Sequence, residues 1–130
     1  ALSKETNEKI SSKILQIVEG ICNAHGVNGS VNYETTCPIT FNSKIQADAA
    51  TKAAISLLGN DKCNGDIEPC LFSEDFSMMT SEKPGCFILM GNGTSEQYSR
   101  PLHADNYDFN DELLVIGSSY WTELVEQQLK

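Results

Sequence analysis

The chain has 130 residues, enough for one hydrophobic core, and its 40% apolar and 21% charged content lacks the bias of a disordered polymer. Acidic residues outnumber basic ones 18 to 9, for a formal charge of −9. No lysine or arginine cluster is available to neutralise phosphates, which argues against nucleic acid and anionic membrane partners.

In chain order, Ile10, Ile14, Ile17, Val18 and Ile21 recur at helical spacing. They predict a helix from Ser3 to His25, with Ser3 as N-cap and Gly26 as the left-handed stop. Asn28-Gly29 reads as a turn, and Val31, Tyr33 and Thr35 alternate with polar residues as in a half-buried strand. Cys37-Pro38 ends that strand, and the polar stretch around Asn42-Ser43 is the candidate boundary between substructures. Ala49, Ala50, Ala53, Ala54, Leu57 and Leu58 then describe a second helix, stopped by Gly59, whose small side chains permit close approach to a sheet. Asp61 to Gly65 should be loop.

A short strand is expected over 67–71, followed by a short helix capped by Ser73, opening with Glu74 and Asp75 and ended by Pro84-Gly85. The continuously apolar run Cys86 to Met90 suits a strand buried on both faces. It is also the longest apolar run, far short of the roughly 20 residues of a bilayer-crossing helix. From Gly91 to Asn110 the chain turns polar and irregular, and loops of that length in compact domains are usually functional or disordered. A last helix, beginning near Asn110 or Asp111, should carry Leu113, Leu114, Tyr120, Trp121, Leu124 and Val125 toward a core. The order of elements is that of an α/β protein.

The five cysteines form no Cys-x-x-Cys pair, so buried free thiols are expected and a reducing, cytoplasmic setting is favoured. The start Ala1-Leu2-Ser3-Lys4-Glu5 shows no secretory signal. An exported protein would allow a local Cys63–Cys70 bridge and give meaning to the sequons at Asn28 and Asn92, so the secretory pathway stays open.

The densest collection of metal-ligand and proton-carrying side chains runs from Leu102-His103 through Asp105 and Asp108 to Asp111-Glu112. On residue types alone, a single histidine in a polar loop is most often a hydrogen-bonding surface group, and the carboxylates suit the start of the final helix. Glu74 and Asp75 are adjacent on a helix and do not face one another, which makes a poor acid–base dyad. Ser73 has no histidine partner at recognisable spacing and no Gly-x-Ser-x-Gly elbow.

Taken together and in order, Ser73-Glu74-Asp75-Phe76, Pro84-Gly85-Cys86-Phe87, Met90-Gly91-Asn92-Gly93, Leu102-His103 and Tyr107-Asp108-Phe109-Asn110-Asp111-Glu112 resemble the closing segments of the metallo-aminoacylase and carboxypeptidase family. That family includes hippurate hydrolase, N-acyl-amino-acid amidohydrolases and auxin-conjugate hydrolases. Upstream, Ala24-His25-Gly26-Val27, Tyr33 and the Pro38 to Asn42 turn look like the end of its inserted lid. The resemblance implies the C-terminal half of a zinc-exopeptidase-like α/β catalytic domain over residues 37–130, preceded by the last helix and strand of an α+β lid over residues 1–36.

It further implies that His103 holds one of two divalent metal ions (zinc, manganese, cobalt or nickel) and that Ser73, Glu74 and Asp75 lie near the active site. The general-base glutamate and the other ligands would lie N-terminal to this chain, leaving it inactive alone. Implied partners are an N-acyl amino acid substrate, the N-terminal part of the same enzyme and a second copy through the lid. One departure is local, because the family commonly has proline two residues after the ligand histidine, where this chain has Asp105, which implies a looser loop and an extra carboxylate in the vicinity of the active site. The alternative from another class is a non-catalytic binding module that keeps the fold.

Overall fold

The computed structural model describes residues 2–129. Its regular structure is helical: α1 (Lys4–His25), α2 (Lys44–Leu58), a short 3-10 turn (Asn60–Lys62), α3 (Phe76–Glu82) and α4 (Leu113–Gln128). The chain forms two compact units, Ala1–Asn42 with Glu68–Gly85 and Ser43–Ile67 with Cys86–Lys130. Among the described residues no helix is long and apolar enough to cross a membrane.

In the first unit, α1 has the expected ends. Ser3 Oγ accepts the Thr6 N–H at 3.0 Å, satisfying one of the free donors of the first turn. At the other end Gly26 has φ 63°. Its N–H bonds the Asn23 carbonyl while that of Val27 bonds Cys22, the paired arrangement that closes a helix on a left-handed residue. The following segment returns along the helix, held by side chains: Asn7 Nδ2 donates to Thr35 Oγ1 at 3.0 Å and Tyr33 Oη to Asn7 Oδ1 at 3.1 Å. Ile14, Val18 and Cys22 are half covered, whereas Ile10, Ile17 and Ile21 remain exposed.

The short α3 departs from expectation at its start. Ser73 is exposed and does not cap it, and the turn begins two residues later, with Glu74 and Asp75 carbonyls accepting from Ser77 and Met78. That places the Ser73 hydroxyl before the donors it would need. Ser77, on the inner side of α3, is fully buried and its hydroxyl has no hydrogen-bond partner.

In the second unit α2 packs on α4. Ala50, Ala53 and Tyr120 form its buried apolar centre. Two alanines spaced by three residues present one smooth strip, and the Tyr120 ring lies edge-on to Trp121, with centroids 5.2 Å apart. The small face expected to meet a sheet therefore meets a helix. Of the apolar residues expected to bury α4, Tyr120 does so, while Leu114, Trp121 and Val125 are exposed.

The α/β layering does not appear among the described residues. The segments expected as strands, around Val31–Thr35, 67–71 and Cys86–Met90, carry no backbone ladder, and Leu89 and Met90 are exposed. A helix satisfies its own backbone groups, whereas a strand requires an aligned neighbour, so apolar patterning states a preference without supplying the partner. The expected buried thiols are also corrected: all five cysteines are free, four partly covered and Cys70 exposed.

Candidate functional site

The long polar loop expected between Gly91 and Asn110 is present, and it is built as a series of turns. The Ser95 carbonyl accepts from Tyr98 and Ser99, Pro101 from Ala104, and Ala104 from Tyr107. Pro101 to Ala104 is a β-turn with His103 in its third position, where some turn types require positive φ. His103 takes that conformation, at φ 70°, and is the sole non-glycine residue to do so among those described. Its side chain is exposed and makes no hydrogen bond with the described residues. A left-handed backbone costs an L-residue about 1–2 kcal/mol, so glycine would serve the turn better than histidine does. Such strain, where it is observed, clusters at functional positions.

The base of the loop is tied by two asparagines 18 residues apart in sequence. Asn92 Oδ1 accepts the Asn110 N–H at 2.9 Å, and Asn110 Nδ2 donates back to the Asn92 carbonyl at 3.2 Å. Asn92 Nδ2 donates in addition to the Tyr98 carbonyl at 3.1 Å and the Asp108 carbonyl at 2.7 Å. Asn110 Oδ1 accepts the Glu112 N–H and its carbonyl accepts that of Leu113, so the same residue leads into α4. Gln97 Nε2 donates to Asp108 Oδ2 at 2.6 Å, and the rings of Tyr107 and Phe109 meet edge to face at 4.9 Å. Gly93 follows Asn92 with φ 129°, and a Cβ there would stand 3.1 Å from that of Tyr98.

Asn92 and Asn110 were not candidates from residue types. Asn92 sits in a sequon-like triplet and Asn110 at a helix start, and both have ordinary readings there. The legible signal was their placement at the two ends of one irregular segment.

Asp105 is exposed on the far side of the His103 turn, and Asp111 and Glu112 are exposed at the approach to α4. Ser73, Glu74 and Asp75 belong to the other unit. No three His, Cys, Asp or Glu side chains among the described residues come together to hold a metal ion. One imidazole does not hold a divalent ion against water, so the donors of this chain do not by themselves fit a metal.

Burial raises the pKa of the Cys86 thiol. It also raises that of the Tyr120 hydroxyl, with a further contribution from neighbouring Cys86. Neither group is prepared to act as a nucleophile or base near neutral pH.

A family model described as Peptidase family M20/M25/M40 matches residues 5–127. Its members are hydrolases that generally work with divalent metal ions. Among similar proteins, hippurate hydrolase of Campylobacter jejuni is 32% identical over 130 residues, covering 100% of this chain and 33% of that protein. N-acetylcysteine deacetylase of Bacillus subtilis is 26% identical, covering 93% and 30%, and thermostable carboxypeptidase 2 of Saccharolobus solfataricus is 25% identical, covering 91% and 30%. No solved structure matches the chain.

Proposed function

This chain belongs to peptidase family M20/M25/M40, and on that premise we propose that it is part of a metal-dependent amidohydrolase that cleaves the amide bond of N-acyl amino acids. The chain spans about one third of the length of the curated relatives it matches. In this reading residues 37–130 contribute to an α/β zinc-exopeptidase-like catalytic domain and residues 1–36 to the end of its inserted lid. The strand-prone segments would gain ladder partners, and the exposed faces of α1 and α4 their cover, from further polypeptide. The substrate class is supported by two relatives, whose named substrates, hippurate and N-acetylcysteine, are amino acids acylated on nitrogen.

The observation that carries the reading is His103, an exposed imidazole kept in a left-handed turn although glycine would fit the backbone better. The reaction calls for divalent ions that polarise the scissile carbonyl and activate water. This chain supplies one imidazole toward that centre and no general base, so alone it is inactive.

The test compares the chain alone with the longer polypeptide containing it, each given zinc, manganese, cobalt or nickel and a panel of N-acyl amino acids. Hydrolysis by the longer protein, none by the chain and a loss of at least about 100-fold on His103→Ala are expected. Full activity of His103→Ala would remove the assigned role. A longer protein with neither hydrolysis nor stoichiometric metal would be a binding module.

A further inference from the structure

We propose that Asn92 and Asn110 are positioning residues for the reaction, a reciprocal amide clamp that fixes the frame in which the His103 turn is held. The inference rests on the functional reading of His103.

The loop between the two asparagines has little else to hold it. Pro101, Leu102, His103, Asp105 and Asp108 are all exposed, and the internal bonds join residues no more than four apart, with Gln97 to Asp108 as the longer tie. Local turns of this kind fix curvature over a few residues. They do not fix where the whole loop points. The clamp does so by joining the ends. Every polar atom of the Asn92 side chain is used, its oxygen on the Asn110 N–H and its nitrogen on two carbonyls from opposite limbs of the loop. Asn110 completes the ring of bonds and is continuous through Glu112 and Leu113 with α4, which packs on α2. The His103 turn is thereby referred to the rigid helix pair of its own unit.

The chemistry demands an amide at position 92. Aspartate keeps the acceptor for the Asn110 N–H but sets a carboxylate against the Tyr98 and Asp108 carbonyls, so Asn92→Asp should be at least as damaging as Asn92→Ala. The same holds at position 110. Asn110→Asp keeps the acceptor for the Glu112 N–H but loses the return bond and sets a carboxylate oxygen against the Asn92 carbonyl, so it should recover little of the function that Asn110→Ala loses. A residue needed only to lead into α4 would be rescued by aspartate.

The experiment uses the longer polypeptide, read by hydrogen exchange and by steady-state hydrolysis of an N-acetyl amino acid. In Asn92→Ala the amides of Tyr98, Ala104 and Tyr107 are expected to exchange about 10-fold faster or more, with those of α2 and α4 unchanged. The kcat should fall about 10- to 100-fold with KM within about threefold. Asn92→Asp should match or exceed that loss, and Asn110→Asp should recover little of what Asn110→Ala loses. Unchanged loop exchange, unchanged kcat, faster exchange spread evenly over α2 and α4, or full activity in Asn110→Asp would each overturn the clamp. His103→Ala is assayed alongside. If it is inactive while Asn92→Ala is fully active, the clamp alone falls. If it is fully active, the reading of His103 falls whatever the asparagine variants do.

Discussion

The conformation of His103 can be tested apart from any catalysis, by comparing His103→Gly with His103→Ala. Both remove the imidazole and leave the same exposed space, so they differ in backbone preference alone. At an ordinary exposed position alanine is favoured over glycine by about 0.4–1 kcal/mol, because glycine has more freedom to lose on folding. At φ 70° alanine instead meets a left-handed penalty of about 1–2 kcal/mol that glycine escapes. The balance favours glycine by about 0.5–1 kcal/mol. With a urea m-value of about 2 kcal/mol per M, the glycine midpoint should lie about 0.4 M above that of alanine. Urea unfolding without added metal, followed by the fluorescence of Trp121 on α4 and checked for unchanged m, measures it. In the longer polypeptide hydrolysis should be lost equally in both variants, so that the more stable one does no more work. A higher midpoint for His103→Ala would mean that the residue is not held left-handed, and the strain argument for its role would fail.

Two further outcomes follow from the interiors of the two units. Ser77 buries a hydroxyl without a partner, so Ser77→Ala should raise the urea midpoint by the equivalent of about 1 kcal/mol at unchanged m, and a lower midpoint would show the hydroxyl to be bonded. Cys86 and Tyr120 both have raised pKa values. Between their unfolded and folded values the unfolded chain has lost protons that the folded chain retains, so the stability they contribute is complete below about pH 9 and declines as pH rises beyond it. Tyr120→Phe should make that alkaline decline shallower in a pH series of urea midpoints, and an identical slope in the variant would contradict the burial assigned to the hydroxyl.

The extent of α1 was legible because everything that defines it is local. Ser3 reaches the first turn, the isoleucines recur with the helical period and Gly26 accepts the left-handed stop, all within one stretch of chain. The irregular loop was legible for the same reason, from its glycines, proline and polar side chains. The motifs from Ser73 to Glu112 indicated the family correctly, since order and spacing along a chain survive without knowledge of contacts.

What depended on contact was not legible. The alanine face of α2 fitted a sheet or a helix equally well, and α4 occupies it. The run Cys86 to Met90 had the composition of a doubly buried strand, but burial and pairing belong to whatever lies beside it. Nor could the residue string show that Asn92 and Asn110 meet, or that His103 sits at φ 70° between them. Local propensity and motif order are properties of neighbouring residues and are written in the sequence. Pairing, cover and the direction of an exposed imidazole arise from segments that approach only when the chain has folded, and the tertiary structure decided those.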